Sequence, residues 1–150
     1  MAQPALSLRA RALRSLARRE HTRSELRRKL APHEETEGQL DALLDALQAQ
    51  GFLSDERAAA SLVHRRAARL GTQRLRQELQ AKGLDASTVD AALEGLGGTE
   101  LERARVLWER KFGAPAPDAA GRARQVRFLL ARGFGSDTVR RVVRGVDDDF

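Results

Sequence analysis

Leu79-Gln80-Ala81-Lys82-Gly83-Leu84 and, fifty residues further on, Leu129-Leu130-Ala131-Arg132-Gly133-Phe134 are two versions of one helix ending. Each closes a helical stretch with a basic residue, a glycine and then an apolar residue. That is the signature of a left-handed C′ glycine whose following side chain folds back on the helix. Gly51-Phe52 offers a third example. Upstream, Thr22-Arg23-Ser24-Glu25, Thr36-Glu37-Gly38-Gln39 and Thr99-Glu100-Leu101-Glu102 each read as a capping box ahead of apolar residues at helical spacing. Ser54, Thr72, Asp85, Asp118 and Ser136 read as simple N-caps.

This punctuation predicts about nine helices in three sets of three: about 6–20, 23–31 and 37–50; 55–69, 73–82 and 86–96; 100–112, 119–132 and 137–145. The registers repeat. Leu26, Leu79 and Leu129 correspond, as do Leu40, Val89 and Val139, at offsets near 50 residues. A repeat of that length predicts an all-α, elongated tandem array of three-helix modules: 1–52, 53–98 and 99–150. Composition agrees. The chain has 25 Ala, 22 Leu and 24 Arg against 3 Lys, with neither Tyr nor Ile. Those abundant residues are strong helix formers, and alternating strand patterns are absent.

Much chemistry is excluded. With no cysteine there is no disulfide framework and no thiolate metal site. His21, His33 and His64 lack zinc spacing, so no metal is expected. Gly95-Leu96-Gly97-Gly98 is a linker without the Lys and Ser/Thr of a phosphate loop. No nucleophile–base or carboxylate pair stands out, so the chain reads as a non-enzyme without cofactors. No apolar run approaches a membrane span. Residues 1–19 are Arg-rich and free of acid, as in a transit peptide. The same pattern recurs inside the chain, which favours an ordinary basic first helix and a cytoplasmic protein.

Charge is sorted by helix. The net charge is +6, but residues 1–33 hold 9 basic and 2 acidic side chains, and 34–56 hold 7 acidic and none basic. Residues 57–82 return to 7 basic against 1 acidic, and 83–100 are again acidic only. The first two helices of each set are therefore basic, and the third is acidic in the first two sets. Arg11, Arg14 and Arg18 share one face of the first helix. Arg23, Arg27 and Arg28 cluster on the second. Stacked modules would turn such clusters into a basic stripe suited to a long anion: nucleic acid, whose binding releases counterions, or a filament with an acidic groove. The opposing reading is a set of solvated faces partly paired with the acidic helices. Phe52, Trp108, Phe112, Phe128 and Phe134 fall at core or cap positions, which argues against base stacking.

The stretch Gly51-Phe52-Leu53-Ser54-Asp55-Glu56-Arg57-Ala58-Ala59, then Arg65-Arg66, Gly71 and Leu75 to Leu84, resembles the RecX family. So do Val126 to Phe134 and the opening Ala12 to Leu26, and the likeness covers about 6–146. One departure is Ala58, where the family often has an aromatic residue; it is expected to loosen packing at the start of the second set. The resemblance implies a mainly inhibitory, non-catalytic regulator of the recombinase RecA. Such a protein binds the RecA–DNA filament and limits its extension, ATPase, strand exchange and coprotease function. It would be a cytoplasmic monomer touching single- or double-stranded DNA without sequence preference. Expected contact residues are Arg23, Arg27, Arg28, Arg65, Arg66, Arg69, Arg74, Arg76, Lys82, Arg122, Arg124, Arg127 and Arg132. Two alternatives stay open: a direct DNA-binding regulator with helix-turn-helix-like modules, and an adaptor for an acidic protein. The tail Asp147-Asp148-Asp149-Phe150 reads as a solvated acidic run, with mimicry of the acidic tip of single-strand binding proteins as the alternative.

Overall fold

The computed structural model describes residues 5–144. Among them are nine α-helices and no strand: α1 (Leu8–Arg18), α2 (Arg23–Leu30), α3 (Gln39–Ala49), α4 (Asp55–Arg66), α5 (Thr72–Ala81), α6 (Ala86–Leu93), α7 (Glu100–Lys111), α8 (Ala119–Ala131) and α9 (Ser136–Arg144). Short 3₁₀ turns follow α2 and precede α7. The acidic tail lies outside the described residues.

Helix ends obey the expected chemistry only in part. The Thr22 box forms: Thr22 Oγ1 accepts the Glu25 N–H and Glu25 Oε1 accepts the Thr22 N–H, both at 3.1 Å. The Thr36 box does not form, because Gly38, which has no side chain to cap with, takes a left-handed conformation at the N-cap of α3. Glu34 reaches in from outside and accepts the Leu40 N–H at 2.8 Å. The Thr99 box is also absent; Thr99 Oγ1 donates to the Leu96 carbonyl within the preceding 3₁₀ turn. Asp85, Asp118 and Ser54 cap as expected, whereas Thr72 and Ser136 are the first residues inside their helices. The glycine endings hold. Phe52 N–H donates to the Leu47 carbonyl and Phe134 N–H to the Leu129 carbonyl, with φ of 78° at Gly51 and 89° at Gly133.

The chain forms two compact units, Met1–Ser61 with Leu79–Val89, and Leu62–Glu78 with Asp90–Phe150. In the first, Leu8 and Ala12 of α1 pack with Leu26 and Leu30 of α2, Leu40, Leu44 and Leu47 of α3, and Leu53. In the second, Ala104 and Trp108 of α7 pack with Leu129, Phe134 and the α9 stripe Val139, Val142 and Val143. The Trp108 indole N–H donates to Gln125, whose amide donates to the Ala114 carbonyl, so both buried polar groups are satisfied. Ala58, the departure from the family pattern noted in the sequence, is buried at the start of α4. Beside it, Arg57 pairs with Glu20 at 3.0 Å.

Each unit contains the same joint. In the first, Asp55 at the start of α4 accepts the Arg23 N–H at the start of α2, 2.8 Å. Thr22 Oγ1 donates to the Lys82 carbonyl at the end of α5, 2.7 Å. In the second, Glu100 at the start of α7 accepts the Thr72 N–H at the start of α5, 2.9 Å. The Gly71 N–H donates to the Arg132 carbonyl at the end of α8, 2.8 Å. The first N–H groups of a helix lack intrahelical partners, so an external carboxylate there satisfies both hydrogen bonding and the helix dipole. Arg103 reinforces the second joint by donating to the Ala67 and Leu70 carbonyls. Burial pulls its pKa below the ordinary guanidinium value.

The approach at these joints leaves no room for side chains. A Cβ on Gly71 would lie 2.3 Å from the Gly133 carbonyl carbon, and one on Gly133 would lie 2.3 Å from Arg74 Cβ. Gly71→Ala is therefore expected to cost about 2 kcal/mol or more, because backbone rather than a flexible side chain must move. Circular-dichroism melting should show Tm lowered by roughly 5 °C; an unchanged Tm would contradict the joint.

Candidate functional site

The expected contact residues divide into paired and open groups. On α2, Arg23 pairs with Asp45 at 2.6 Å and also reaches Gln48. Arg27 pairs with Asp41 of α3. On α5, Arg76 pairs with Asp90 of α6 at 2.8 Å. The Arg27–Asp41 and Arg76–Asp90 pairs each link residues 14 apart, and they correspond at an offset of 49. The acidic third helix of a set thus neutralises its basic second helix. At the matching position in the third set stand Val126 and Arg140, and that pair is gone.

Arg66 pairs with Glu78 at 2.8 Å, and Lys82 pairs with Glu25 at 3.0 Å. Arg132 lies over the Phe128 ring, 5.0 Å from its centroid, a favourable cation–π placement. Arg65 and Arg69 are exposed at the end of α4 and just beyond it. Arg74 is exposed as well, with its backbone against Gly133. Arg28 is exposed on α2, and Arg122, Arg124 and Arg127 are exposed along α8. These last four have no ion-pair partner among the described residues. The expected set is therefore not one uniform cationic surface. Its paired members hold helices together, and α8 carries the largest open group.

Glu25 shows how tightly the paired cations are used. Burial alone would push its carboxyl up. The Thr22 N–H, the Arg19 guanidinium and the Lys82 ammonium outweigh burial and hold the pKa at about 2. Next to it, His21 is buried and its Nδ1 donates to the Arg19 carbonyl at 3.0 Å. Burial lowers its pKa, so the ring is held neutral as a structural residue.

One group of basic residues stands outside the expected contact set. Arg11, Arg14 and Arg18 of α1 share a face and line an open cleft with Lys29 and His33. Their spacing was visible in the sequence. Their freedom from acidic neighbours was not. Among the described residues no group of three or more His, Cys, Asp or Glu is placed to hold a metal ion. No helix among them is long and apolar enough to cross a membrane.

Comparison with known proteins supplies the lineage. Three domain profiles match in series: RecX, first three-helix domain, over 9–47; RecX, second three-helix domain, over 54–93; and RecX, third three-helix domain, over 99–143. The chain belongs to the RecX family. A regulatory protein RecX from Leptothrix cholodnii is 56% identical over 98% of this chain and 94% of its own. Another, from Ralstonia pickettii, is 52% identical over 95% of this chain and 90% of its own. The crystal structure of RecX from Lactobacillus salivarius has the same fold, with a TM-score of 0.77 at 20% identity, covering 93% of this chain and 94% of that one. The resemblance carried by Gly51 to Leu84 is thus a family relationship, and the all-helical fold is a RecX fold. The joints hold residues of successive RecX domains together: Asp55 with Arg23, and Glu100 with Thr72.

Glu25 gives a pH prediction. Its pKa lies below the unfolded value, so its stabilisation is fully present above about pH 4.5 and is lost as pH falls toward about 2. Glu25→Gln is expected to lower Tm at pH 7 and to flatten the decline of Tm below pH 4.5. A variant whose acid profile parallels the wild type throughout would contradict that role.

Proposed function

We propose that this chain is a non-catalytic, mainly inhibitory regulator of RecA that binds the RecA–DNA filament in the cytoplasm as a monomer. Its three modules, 1–52, 53–98 and 99–150, would engage the filament through charge contacts. Binding then limits extension, ATPase, strand exchange and coprotease activity by shifting the filament equilibrium rather than by any reaction of its own. The observation that carries this reading is the series of three RecX domain matches along one chain, with relatives named as regulatory proteins. The charge arrangement supports it. Basic side chains left open after internal pairing, Arg28, Arg122, Arg124 and Arg127, together with exposed Arg69 and Arg74, are free to meet a polyanion.

A second reading is a direct DNA-binding regulator. It is favoured by α8, the second helix of its set, where three exposed arginines occupy 122–127 without a matching acid on α9. Against it, the second helices repeat arginine but not the Asn or Gln positions that would read bases.

The decisive assay titrates the protein against the DNA-dependent ATPase of RecA, with bare single-stranded DNA titrated in parallel. Inhibition at concentrations too low to coat the DNA is the expected result. Tight salt-sensitive DNA binding without inhibition would favour the second reading. Reversing Arg69, Arg74, Arg122, Arg124 and Arg127 to Glu is expected to weaken inhibition at least tenfold with native helicity, since none of the five belongs to an ion pair that links helices. Undiminished inhibition would remove these residues from the interface.

A further inference from the structure

Among the described residues of the first unit, cations gather without acids in a cleft on α1. The cleft of about 540 Å³ between α1 and the end of α2 is lined by Arg11, Arg14, Arg18, Lys29 and His33, and no acidic side chain is among its lining residues. Elsewhere on this unit the basic side chains other than Arg28, which is exposed on α2, are occupied. Arg19 and Lys82 hold Glu25, Arg23 and Arg27 hold α3, Arg57 holds Glu20, and Arg9 donates to Gln50. Arg11, Arg14, Arg18 and Lys29 have no such partner among the described residues. Four unpaired cations in one concavity repel one another, and a bound anion relieves that repulsion.

The shape of the cluster says which anion. Residues 11, 14 and 18 rise along α1 over about 10 Å. One strand of a nucleic acid duplex carries about three phosphates over that axial distance. A guanidinium makes paired hydrogen bonds to phosphate, so a row of arginines at this spacing matches successive phosphates. The cleft is open rather than closed, and no Phe, Tyr or Trp lines it. A backbone can run through it, and a base finds no large aromatic platform to stack on.

We propose that the cleft formed by Arg11, Arg14, Arg18 and Lys29, with His33 at its edge, is a phosphodiester-backbone site that grips nucleic acid without reading sequence. It rests on the regulatory reading only for its biological setting, as the DNA contact of a filament binder. The site itself is tested without RecA.

The test uses the full chain with Arg14→Gln, Arg18→Gln and Lys29→Gln combined. All three residues are exposed, so the fold is expected to survive, as circular dichroism will verify. A control removes the same charge elsewhere through Arg110→Gln, Arg140→Gln and Arg144→Gln. Fluorescence anisotropy with labelled single-stranded and duplex DNA, repeated across salt, gives affinity and its salt slope. The cleft variant should lose at least tenfold in affinity, and its salt slope should fall by about 2. The control should keep the wild-type slope within about one unit. Arg14→Lys with Arg18→Lys, which keeps the charge, should retain most of the binding. Comparing the two DNA forms assigns the backbone to single strand, duplex or both. The proposal is overturned if the wild type binds neither DNA, if the cleft variant keeps the wild-type slope, or if the control loses as much. It is also overturned if poly-glutamate displaces DNA at equal charge concentration. RecA ATPase inhibition, run on the same samples, is an independent readout. Inhibition that survives in a cleft variant with normal DNA binding sinks this site alone, and loss of DNA binding by the variant beside a wild type that never inhibits RecA sinks the regulatory reading alone.

Discussion

A helix that starts against another helix exposes N–H groups with nothing to accept them, and this chain meets that demand twice in the same way. Asp55 receives the Arg23 N–H, and Glu100 receives the Thr72 N–H. In each case the acceptor is the first residue of the helix that opens the next set, and a carboxylate at a helix N-terminus gains from the dipole as well. A second bond runs to the far end of a helix, from Thr22 to the Lys82 carbonyl and from Gly71 to the Arg132 carbonyl. The helix starts and the glycine turns therefore lie in contact, which explains why Gly71, Gly83 and Gly133 have no space for a methyl group.

The joints also govern where charge is left over. Because the acidic third helix of a set folds beside the basic second helix, Arg27 finds Asp41 and Arg76 finds Asp90. Exposed pairs of this kind contribute modestly to stability, on the order of 0–1 kcal/mol each. Their larger effect is to cancel local potential. Besides the single exposed residues Arg28, Arg69 and Arg74, two clusters escape cancellation. The third set has Val126 and Arg140 where the pair would stand, so Arg122, Arg124 and Arg127 stay open. The first helix faces no acidic helix, so Arg11, Arg14 and Arg18 keep their charge in a cleft. A single protein can in this way use some of its arginines as internal fasteners and keep others for a partner.

The fold was largely legible because helix ends write themselves locally. A glycine followed by an apolar residue, or Thr22 three residues before Glu25, needs only its own turn to act. The same logic failed at Thr36 and Thr99, where neighbouring backbone took the cap position: Gly38 entered the left-handed region, and Thr99 was drawn into a 3₁₀ turn. The site was less legible. Spacing shows which arginines share a helix face, but whether one is neutralised depends on a residue from another helix. Arg23 reads like Arg28 in sequence, yet Arg23 is clasped by Asp45 and Arg28 is exposed. Only the repeat register held a clue, since Arg27 with Asp41 and Arg76 with Asp90 recur at one offset.

The recurrent joint is most directly tested by hydrogen exchange at the backbone amides of Arg23 and Thr72 in the native protein. Each is the first amide of its helix, where an isolated helix offers no acceptor. If Asp55 and Glu100 hold them, both should exchange on the order of tenfold or more slowly than their neighbours Ser24 and Gln73, consistent with a charge-assisted bond of about 1.5–3 kcal/mol. Exchange at Arg23 and Thr72 as fast as at Ser24 and Gln73 would contradict the account.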